Sequence, residues 1–406
     1  MTDRRTLLGG ALAGLAGPVL ATPALAQRAA PRGRRAAAAQ PAGSPAETPL
    51  GPLDVQARQA LIVDFATGAT LLEKNADEQM PPSSMSKLMT MYVVFDQLKA
   101  GRLQLDQSLP VSERAWRMGG SKMFVELGSQ IKVEDLIHGV IVQSGNDACV
   151  VLAEGISGSE TQFADLLNET ARRIGLQNST FRNATGWPDP DHKMTARDLA
   201  TLARRIITDF PEYYQFYNMR SFRYNNITQE NRNPLLSRVA GADGLKTGHT
   251  EDAGYGLTGS AKRGDRRVIM VVNGLPSMRA RAEESERLME WAFREFEAVV
   301  LFRAQDTIEE VPVYLGERSK VPMVGGRDLV LTLPRQWRSR LEVRLHYDAP
   351  LTAPVARGQQ IGEMQVGGQG VPELRVPLLA GADVEKLGLI SRIPAVVSQF
   401  VFGARG

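Results

Sequence analysis

The chain has few residues of the kinds that bind metals or form disulfides. Its 406 residues include one cysteine, Cys149, and four histidines. A single cysteine cannot form an intramolecular disulfide, and it cannot supply a cysteine-ligated zinc or iron–sulfur site. The histidines His138, His192, His249 and His346 are scattered without the spacing of a metal-binding motif. We therefore expect neither a metal nor another cofactor.

The chain also lacks the excess of basic residues that binds nucleic acid. Its 48 Lys and Arg against 45 Asp and Glu give a net charge of +3, and its pI is about 9.0. Residues 1–50 contain six arginines and two acidic residues, so 42 bases and 43 acids remain in the rest. The positive excess belongs to the N-terminal segment, and we expect no nucleic-acid partner.

The most apolar N-terminal stretch is too short to span a membrane, which takes roughly 20 strongly apolar residues. Residues 7–20 follow Arg4-Arg5 and precede Ala24-Leu25-Ala26, a small-x-small pattern that a signal peptidase cleaves. We expect residues 1–26 to be an export signal, and the paired arginines fit both the twin-arginine route and the Sec route. Residues 27–52, rich in Ala, Pro and Arg, predict a disordered linker.

Two segments with different apolar patterns follow the linker. Strand patterns at residues 59–64 and 268–272 enclose several helical ones, which predicts a mixed α/β (α+β) domain over residues 53–297. The helical spacing covers residues 87–98, 149–156, 163–174, 196–207 and 284–296. Apolar residues then alternate with polar ones, which predicts a small β-rich C-terminal domain over residues 298–383.

Residues 384–406 predict an amphipathic C-terminal helix, because their apolar residues recur every three or four positions. These are Val384, Leu387, Ile390, Ile393, Val397, Phe400 and Val401. Such an apolar face could bind a membrane surface or pack on the β-rich domain. We favour a peripheral contact with the membrane.

A serine and a lysine three residues apart form a candidate nucleophile and base. Ser84 and Lys87 stand at the start of the helix predicted from residue 87, where this spacing places them on one face. A lysine amine can remove a hydroxyl proton only when it is neutral, and burial beside another cation lowers its pKa in that direction. N–H groups at the helix start would stabilise an oxyanion.

A second Ser-x-x-Lys, at Ser129 and Lys132, has no such context. It follows Gly128 in a short polar connection, with no buried helix after it. We interpret this copy as accidental and favour Ser84.

Two downstream motifs could complete the site. Ser144-Gly145-Asn146 offers a hydroxyl to carry a proton and an amide to bind a peptide, although alone it would equally be a turn and helix cap. Lys246-Thr247-Gly248, alone a basic turn, would lie on an edge strand beside a cleft, with Gly248 allowing close backbone approach. The three motifs in this order form a pattern that chance rarely produces.

On these motifs the chain resembles the penicillin-recognising serine acyl-transferases. Within them it is similar to the D-alanyl-D-alanine carboxypeptidases, the low-molecular-mass penicillin-binding proteins of the type-five kind, over nearly all residues from about Leu53. Further similar segments are Asp64, Asn75-Ala76-Asp77, Ser144 to Cys149, Thr195 to Asp198, Asn231-Arg232-Asn233 and Ala253-Gly254-Tyr255. The resemblance implies a β-lactamase/transpeptidase-like catalytic domain in an exported, periplasmic protein on the outer face of the cytoplasmic membrane.

The resemblance also implies roles in acyl transfer. Ser84 would attack the carbonyl of the penultimate D-alanine, with Lys87 as its general base. Ser144 would relay the proton to the leaving D-alanine. The backbone N–H groups of Ser84 and His249 would form the oxyanion hole.

Other residues would bind the substrate, a peptidoglycan pentapeptide ending in D-Ala-D-Ala, or β-lactams as covalent inhibitors. Asn146 would hold the peptide amide, and Lys246 would keep Lys87 neutral. Thr247 and Arg232 would bind the terminal carboxylate, for which the fork of an arginine is well shaped. Residues 119–121 would border the cleft.

Two other functions could use the same site. A β-lactamase needs an activated water, but no Glu-x-x-Leu-Asn follows Ser144, and residues 164–168 have alanine in place of the glutamate. A catalytically weak penicillin-binding scaffold of the cell wall would keep the pocket without turnover, against which the intact Ser84, Lys87 and Lys246 argue. We therefore expect a serine-type D-Ala-D-Ala carboxypeptidase.

Overall fold

A computed structural model describes residues 44–369 and 371–388 of the chain. The predicted export signal, the linker up to residue 43 and the tail from residue 389 lie outside the described residues. Within those ranges, no helix is both long enough and apolar enough to cross a membrane.

The N-terminal domain is built on a five-stranded antiparallel sheet of order β2-β1-β9-β8-β7. Its strands are β1 (Gln59–Asp64), β2 (Thr70–Lys74), β7 (Ala242–Thr250), β8 (Gly254–Arg263) and β9 (Arg266–Leu275). Two small ribbons pair β3 (Ser108–Pro110) with β4 (Gln130–Lys132), and β5 (Ser221–Tyr224) with β6 (Ile227–Glu230). The strands predicted at residues 59–64 and 268–272 are confirmed as β1 and the central part of β9.

Helices cover both faces of this sheet. They are α1 (Lys87–Lys99), α2 (Glu113–Arg117), α3 (Val133–Ile141), α4 (Asn146–Ser157), α5 (Glu160–Ile174), α6 (Ala196–Asp209), α7 (Pro211–Tyr214), α8 (Leu235–Arg238) and α9 (Met278–Glu295). Ser83–Ser86 and Gln215–Asn218 are short 3-10 helices. Each predicted helical stretch falls on one of these helices, except that Phe296 already belongs to the next strand.

The alternating side chains of β9 separate two cores. Ile269 and Val271 pack into the larger, helical core, which contains α1, whereas Val268, Met270 and Val272 face α9. A strand buried on both faces reads as a continuous apolar run, which is why its position was predictable. In α1, every residue from Lys87 to Phe95 is buried. The nucleophile motif therefore sits on a helix in the middle of the domain.

The C-terminal domain is β-rich, as predicted. A two-stranded sheet pairs β10 (Phe296–Phe302) with β13 (Leu329–Pro334), and a six-stranded sheet has the order β14-β16-β17-β12-β11-β15. The strands of the larger sheet are β11 (Thr307–Tyr314), β12 (Lys320–Gly325), β14 (Glu342–His346), β15 (Leu351–Thr352), β16 (Gln360–Gly368) and β17 (Val371–Ala380). Residues Arg335–Arg340 form a 3-10 helix between β13 and β14.

The predicted linker ends earlier than residue 52. Ala46 is fully buried and exchanges backbone hydrogen bonds with Leu53, and Glu47 does the same with Glu73 of β2. The prediction was wrong for residues 44–52, because the open edge of β2 offers backbone partners that composition does not reveal.

The predicted amphipathic helix does not begin at Val384. Val384 is buried in the C-terminal domain and forms an antiparallel bridge with Val355, and Lys386 bridges Gly316. The first residues of the segment thus form backbone pairs within the C-terminal domain instead of a helix. The remainder of the predicted helix, from residue 389, lies outside the described part of the chain.

Candidate active site

Ser84 and Lys87 form the centre of the site. Ser84 lies in the 3-10 turn Ser83–Ser86, which leads directly into α1, and Lys87 Nζ lies 2.8 Å from its Oγ. Lys87 is completely buried and donates a second hydrogen bond, of 2.6 Å, to the carbonyl oxygen of Thr185. Burial lowers the pKa of Lys87 to about 8, and the positive charge of Arg232 acts in the same direction. The predicted shared face is confirmed.

Ser144 and Lys246 form a second hydroxyl–amine pair. Ser144 stands just before α4 with a φ of 60°, and its buried Oγ accepts a 3.0 Å hydrogen bond from Lys246 Nζ. Lys246 extends from β7 and is also buried. Burial holds its pKa well below the usual value, and the charge of Lys87 lowers it further. The pKa of Lys87 is lowered more by burial than by any neighbouring positive charge.

The predicted substrate-binding residues face the segment 119–121. Asn146, the first residue of α4, donates from Nδ2 to the carbonyl oxygen of Gly119 at 2.9 Å. Arg232 Nη1 donates to Ser121 Oγ at 2.6 Å. The segment 119–121 thus lies beside the predicted site, and its polar groups are hydrogen-bonded to two side chains that are predicted to bind the substrate.

Strand β7 is the sheet edge next to the nucleophile turn, as predicted. A Cβ placed on Gly248 would lie 3.0 Å from the carbonyl oxygen of Pro82 and 3.2 Å from the backbone nitrogen of Met85, so glycine permits this approach. Thr247 is buried beside it, whereas the exposed ring of His249 stacks on Tyr255 with centroids 3.9 Å apart.

The second Ser-x-x-Lys lies in a different environment. Ser129 Oγ donates to the carbonyl oxygen of Glu126 at 2.7 Å, and Lys132 is exposed at the end of β4. Neither residue is part of a buried pair. The expectation that no buried helix follows was wrong, because α3 begins at Val133, directly after Lys132, and buries Val133, Leu136 and Ile137.

Comparison with known proteins decides the family. The family model described as D-alanyl-D-alanine carboxypeptidase matches residues 44–277, and that of the penicillin-binding protein 5 C-terminal domain matches residues 296–386. The chain belongs to the D-alanyl-D-alanine carboxypeptidase family. It is 39% identical to the D-alanyl-D-alanine carboxypeptidase DacC of Escherichia coli (strain K12), with 87% of this chain and 90% of the relative covered.

Solved structures of penicillin-binding proteins share the fold of this carboxypeptidase-family chain. Penicillin-binding protein 5 from Haemophilus influenzae is 37% identical with a TM-score of 0.74, covering 82% of this chain and 99% of that one. Penicillin-binding protein D2 from Listeria monocytogenes, in its ampicillin-bound form, is 30% identical with a TM-score of 0.55, covering 59% of this chain and 98% of that one.

In this carboxypeptidase-family site, Asp147 holds the backbone of residues 123–125, a role that the sequence did not suggest. Its fully buried carboxylate accepts hydrogen bonds from the backbone N–H groups of Met123, Phe124 and Val125, at 2.9, 2.9 and 3.2 Å. An acidic residue in the first turn of a helix is ordinary, because it complements the helix dipole. Only the path of the loop reveals this second function.

Arg281 is a further cation that the sequence did not identify. It extends from α9, is buried, and donates from Nη2 to the carbonyl oxygen of Arg232 at 3.3 Å. Burial lowers its pKa to about 10. Arg281 thus adds positive potential behind Arg232 and Lys246, on the side where a carboxylate would bind.

Two other side chains near the Ser84–Lys87 pair are structural. Burial lowers the pKa of His192 to about 4, and its Nδ1 accepts from the N–H of Arg182 at 3.3 Å, so Nε2 carries the proton toward Ser86 Oγ, 2.7 Å away. Burial raises the pKa of the Cys149 thiol to about 12, which keeps it neutral. Cys149 is therefore a core residue, in agreement with its position in an apolar helix.

A cavity of about 820 Å³ lies away from this site, between the sheet and β10. Its arginines are paired with acidic residues, for example Arg263 with Glu290 and Arg266 with Asp64. The lining therefore offers no unbalanced charge to a ligand. Across residues 44–369 and 371–388, no three His, Cys, Asp or Glu side chains are grouped so that they could hold a metal ion.

Proposed function

We propose that Ser84 is the acyl-accepting nucleophile of a D-alanyl-D-alanine carboxypeptidase that removes the terminal D-alanine from peptidoglycan stem peptides. The observation that carries the proposal is the 2.8 Å contact of Ser84 Oγ with Lys87, a buried amine with a pKa of about 8. At this pKa, about a tenth of the amine is neutral at pH 7 and able to accept a proton. General bases work best when their pKa lies near the working pH.

Acylation would proceed in two linked proton transfers. Neutral Lys87 removes the hydroxyl proton of Ser84 while Oγ forms a bond to the carbonyl carbon of the penultimate D-alanine. The C–N bond then breaks, and Ser144 gives its proton to the leaving amine while it takes up the proton that Lys87 holds, so Lys87 is neutral again and Ser144 is again a hydroxyl. The hydrogen bond from Lys246 to Ser144 supports this relay, because it orients the hydroxyl toward the cleft. Backbone N–H groups of Ser84 and His249 would hold the oxyanion.

Deacylation would complete the cycle with water. Water attacks the ester carbon, its hydroxyl group becomes part of the new carboxylate, and its proton restores the Ser84 hydroxyl. A β-lactam opened by the same attack leaves no departing amine, so its ester stays on Ser84 for as long as deacylation is slow.

The substrate's terminal carboxylate would bind between Arg232, Thr247 and Lys246, with the charge of Arg281 behind them. Arg232 is already hydrogen-bonded to Ser121, so carboxylate binding exchanges one oxygen partner for another. Asn146 would exchange the carbonyl of Gly119 for the peptide backbone in the same way. These exchanges give the segment 119–121 a direct influence on substrate affinity.

Release of D-alanine from a pentapeptide mimic should increase with pH through about 8, the pKa of Lys87. The rate should rise with pH because protonated Lys87 cannot accept the Ser84 proton, so acid suppresses the reaction. The measurement is kcat/KM for D-alanine release between about pH 6 and about pH 10. Its pH dependence reports the pKa values of the essential groups in the free enzyme. A value of kcat/KM that is flat over this range would contradict the role of Lys87.

A second outcome concerns the scaffold alternative. Efficient acylation by penicillin with no D-alanine release would indicate a scaffold instead.

We propose that the chain is exported and held at the outer face of the cytoplasmic membrane by the segment after Gly388. The basis is the export signal predicted at residues 1–26 and the helical spacing of Ile390, Ile393 and Phe400.

Removing residues 389–406 should move the protein from the membrane fraction to the soluble fraction. The cut spares Val384 and Lys386, which pair inside the C-terminal domain, so folding should be unaffected. A matched variant of full length, with Val397 and Phe400 replaced by glutamate, should behave in the same way, because charge removes the apolar face. Membrane retention of both variants would overturn the anchor.

A further inference from the structure

Residues 183–187 form a turn, called the 183–187 turn below, that contacts Lys87 and Ser83, the residue before Ser84. The carbonyl oxygen of Thr185 accepts the 2.6 Å hydrogen bond from Lys87 Nζ. Gly186 has a φ of 77°, and a Cβ on it would lie 1.9 Å from the carbonyl oxygen of Ser83. The turn therefore packs backbone against backbone on the residue before the nucleophile, and only glycine fits there.

One side chain closes this turn. Asn183 Oδ1 accepts hydrogen bonds from the N–H groups of Thr185, Gly186 and Trp187 at 3.1, 2.8 and 3.0 Å, and from Thr185 Oγ1 at 3.0 Å. Asn183 Nδ2 donates to the carbonyl oxygen of Trp187 at 3.1 Å. Asparagine side chains commonly close turns in this manner, but here one oxygen gathers four donors.

The turn is also attached to the helices on either side. Thr90 Oγ1, one turn along α1 from Lys87, donates to the carbonyl oxygen of Ala184 at 2.6 Å. The N–H of Ala184 donates to Glu160 Oε1 at 3.1 Å, at the start of α5. These two bonds fix residue 184, whereas the orientation of the Thr185 carbonyl depends on the contacts of Asn183.

The direction of the Thr185 carbonyl matters for proton transfer. A neutral amine has two N–H donors and one lone pair, and the lone pair must face Ser84 Oγ to accept its proton. A hydrogen bond from one N–H to Thr185 restricts rotation of the amine about its last carbon bond. Misplacement of a catalytic group by about 1 Å can cost about a hundredfold in rate.

We propose that Asn183 is a positioning residue for the general base: by closing the 183–187 turn it aims the Thr185 carbonyl at Lys87, and so orients the lysine lone pair toward Ser84. This inference rests on the proposed roles of Ser84 and Lys87. It assigns a function to a side chain that touches neither the nucleophile nor the base.

The test is the acylation kinetics of the full chain with a fluorescent penicillin, in which the dissociation constant and the covalent rate constant are measured separately. We expect Asn183→Ala to lower the covalent rate constant by about a hundredfold. The dissociation constant should change by less than about twofold, because Asn183 lies outside the substrate-binding residues. Asn183→Asp keeps the accepting oxygen and should recover most of the rate.

The control is Asp328→Ala, which removes a side-chain oxygen that accepts the N–H of Ala304 in the C-terminal domain and should leave both constants unchanged. If Asn183→Ala does not fold, Asn183→Ser, whose shorter side chain reaches fewer N–H groups, should show a smaller loss in the covalent step. A wild-type covalent rate constant in Asn183→Ala or Asn183→Ser, or an equal loss in Asn183→Asp, would overturn the inference while Ser84 remains the nucleophile. An unlabelled wild type would instead reject the proposed function.

Discussion

Replacing Ser84 with alanine should abolish covalent labelling of the protein by a fluorescent penicillin and lower D-alanine release by more than about a thousandfold. In the proposed mechanism the ester forms on the Ser84 oxygen, which contacts Lys87 at 2.8 Å. Alanine removes one oxygen from a half-buried position, so the fold should be retained. Fluorescence of the protein band on a denaturing gel measures the labelling directly.

The matched control for this prediction is Ser129→Ala, in the second Ser-x-x-Lys. Ser129 hydrogen-bonds to a local carbonyl and has no buried lysine beside it, so labelling should equal that of the unaltered protein. Labelling that survives Ser84→Ala but is lost in Ser129→Ala would reverse the assignment of the nucleophile.

Replacing Lys87 with methionine should reduce the acylation rate by about a thousandfold, within the range that positioned general bases contribute. Methionine fills much of the same volume without placing an unpaired charge in the interior, so this variant should fold. The rate that remains should also lose its dependence on pH near 8, because the titrating amine is gone.

The matched control is Lys132→Met, in which an exposed lysine is lost and no rate change is expected. Acylation of Lys87→Met at the unaltered rate would show that another group removes the proton. In that case Lys246, the buried amine that hydrogen-bonds Ser144, would be the next residue to replace.

The parts of the site that the sequence predicted are those carried by side chains in short, regular segments. Ser84 and Lys87 are three residues apart on one helix, so their contact follows from helix geometry. The strand at residues 268–272 was also predictable, because a continuous apolar run of this length is typical of a strand buried on both faces. The resemblance to a known family then connected Ser144 and Lys246, which lie 102 residues apart and meet only through the fold.

The parts that could not be predicted depend on backbone atoms and loop paths. The carbonyl oxygen of Thr185 accepts a hydrogen bond from a lysine 98 residues away. Because every residue has a backbone carbonyl, the residue type at this position cannot reveal the contact. Asp147 reads as an ordinary first-turn acid, although it binds the N–H groups of a distant loop. Arg281 reads as one of several basic residues of an amphipathic helix, and only its burial distinguishes it.

The predicted boundaries were also wrong at both ends of the folded part. Ala46 resembles the alanines of the preceding linker, but it is buried and pairs with Leu53, and the next residue, Glu47, pairs with Glu73 of β2. Val384 continues the helical spacing of the last segment, but a bridge to Val355 satisfies its backbone first. In both cases backbone pairing with residues distant in the sequence outweighed the local pattern.

The pairing of Glu47 with β2 has a practical consequence for handling the protein. It places the first described residues at one edge of the sheet, while β7, which carries Lys246, forms the opposite edge. At the usual strand spacing the two edges are about 20 Å apart. A tag, a dye or a chip surface attached ahead of residue 44 would therefore join the domain on the far side from the cleft, so immobilised protein should keep its site open to large wall fragments.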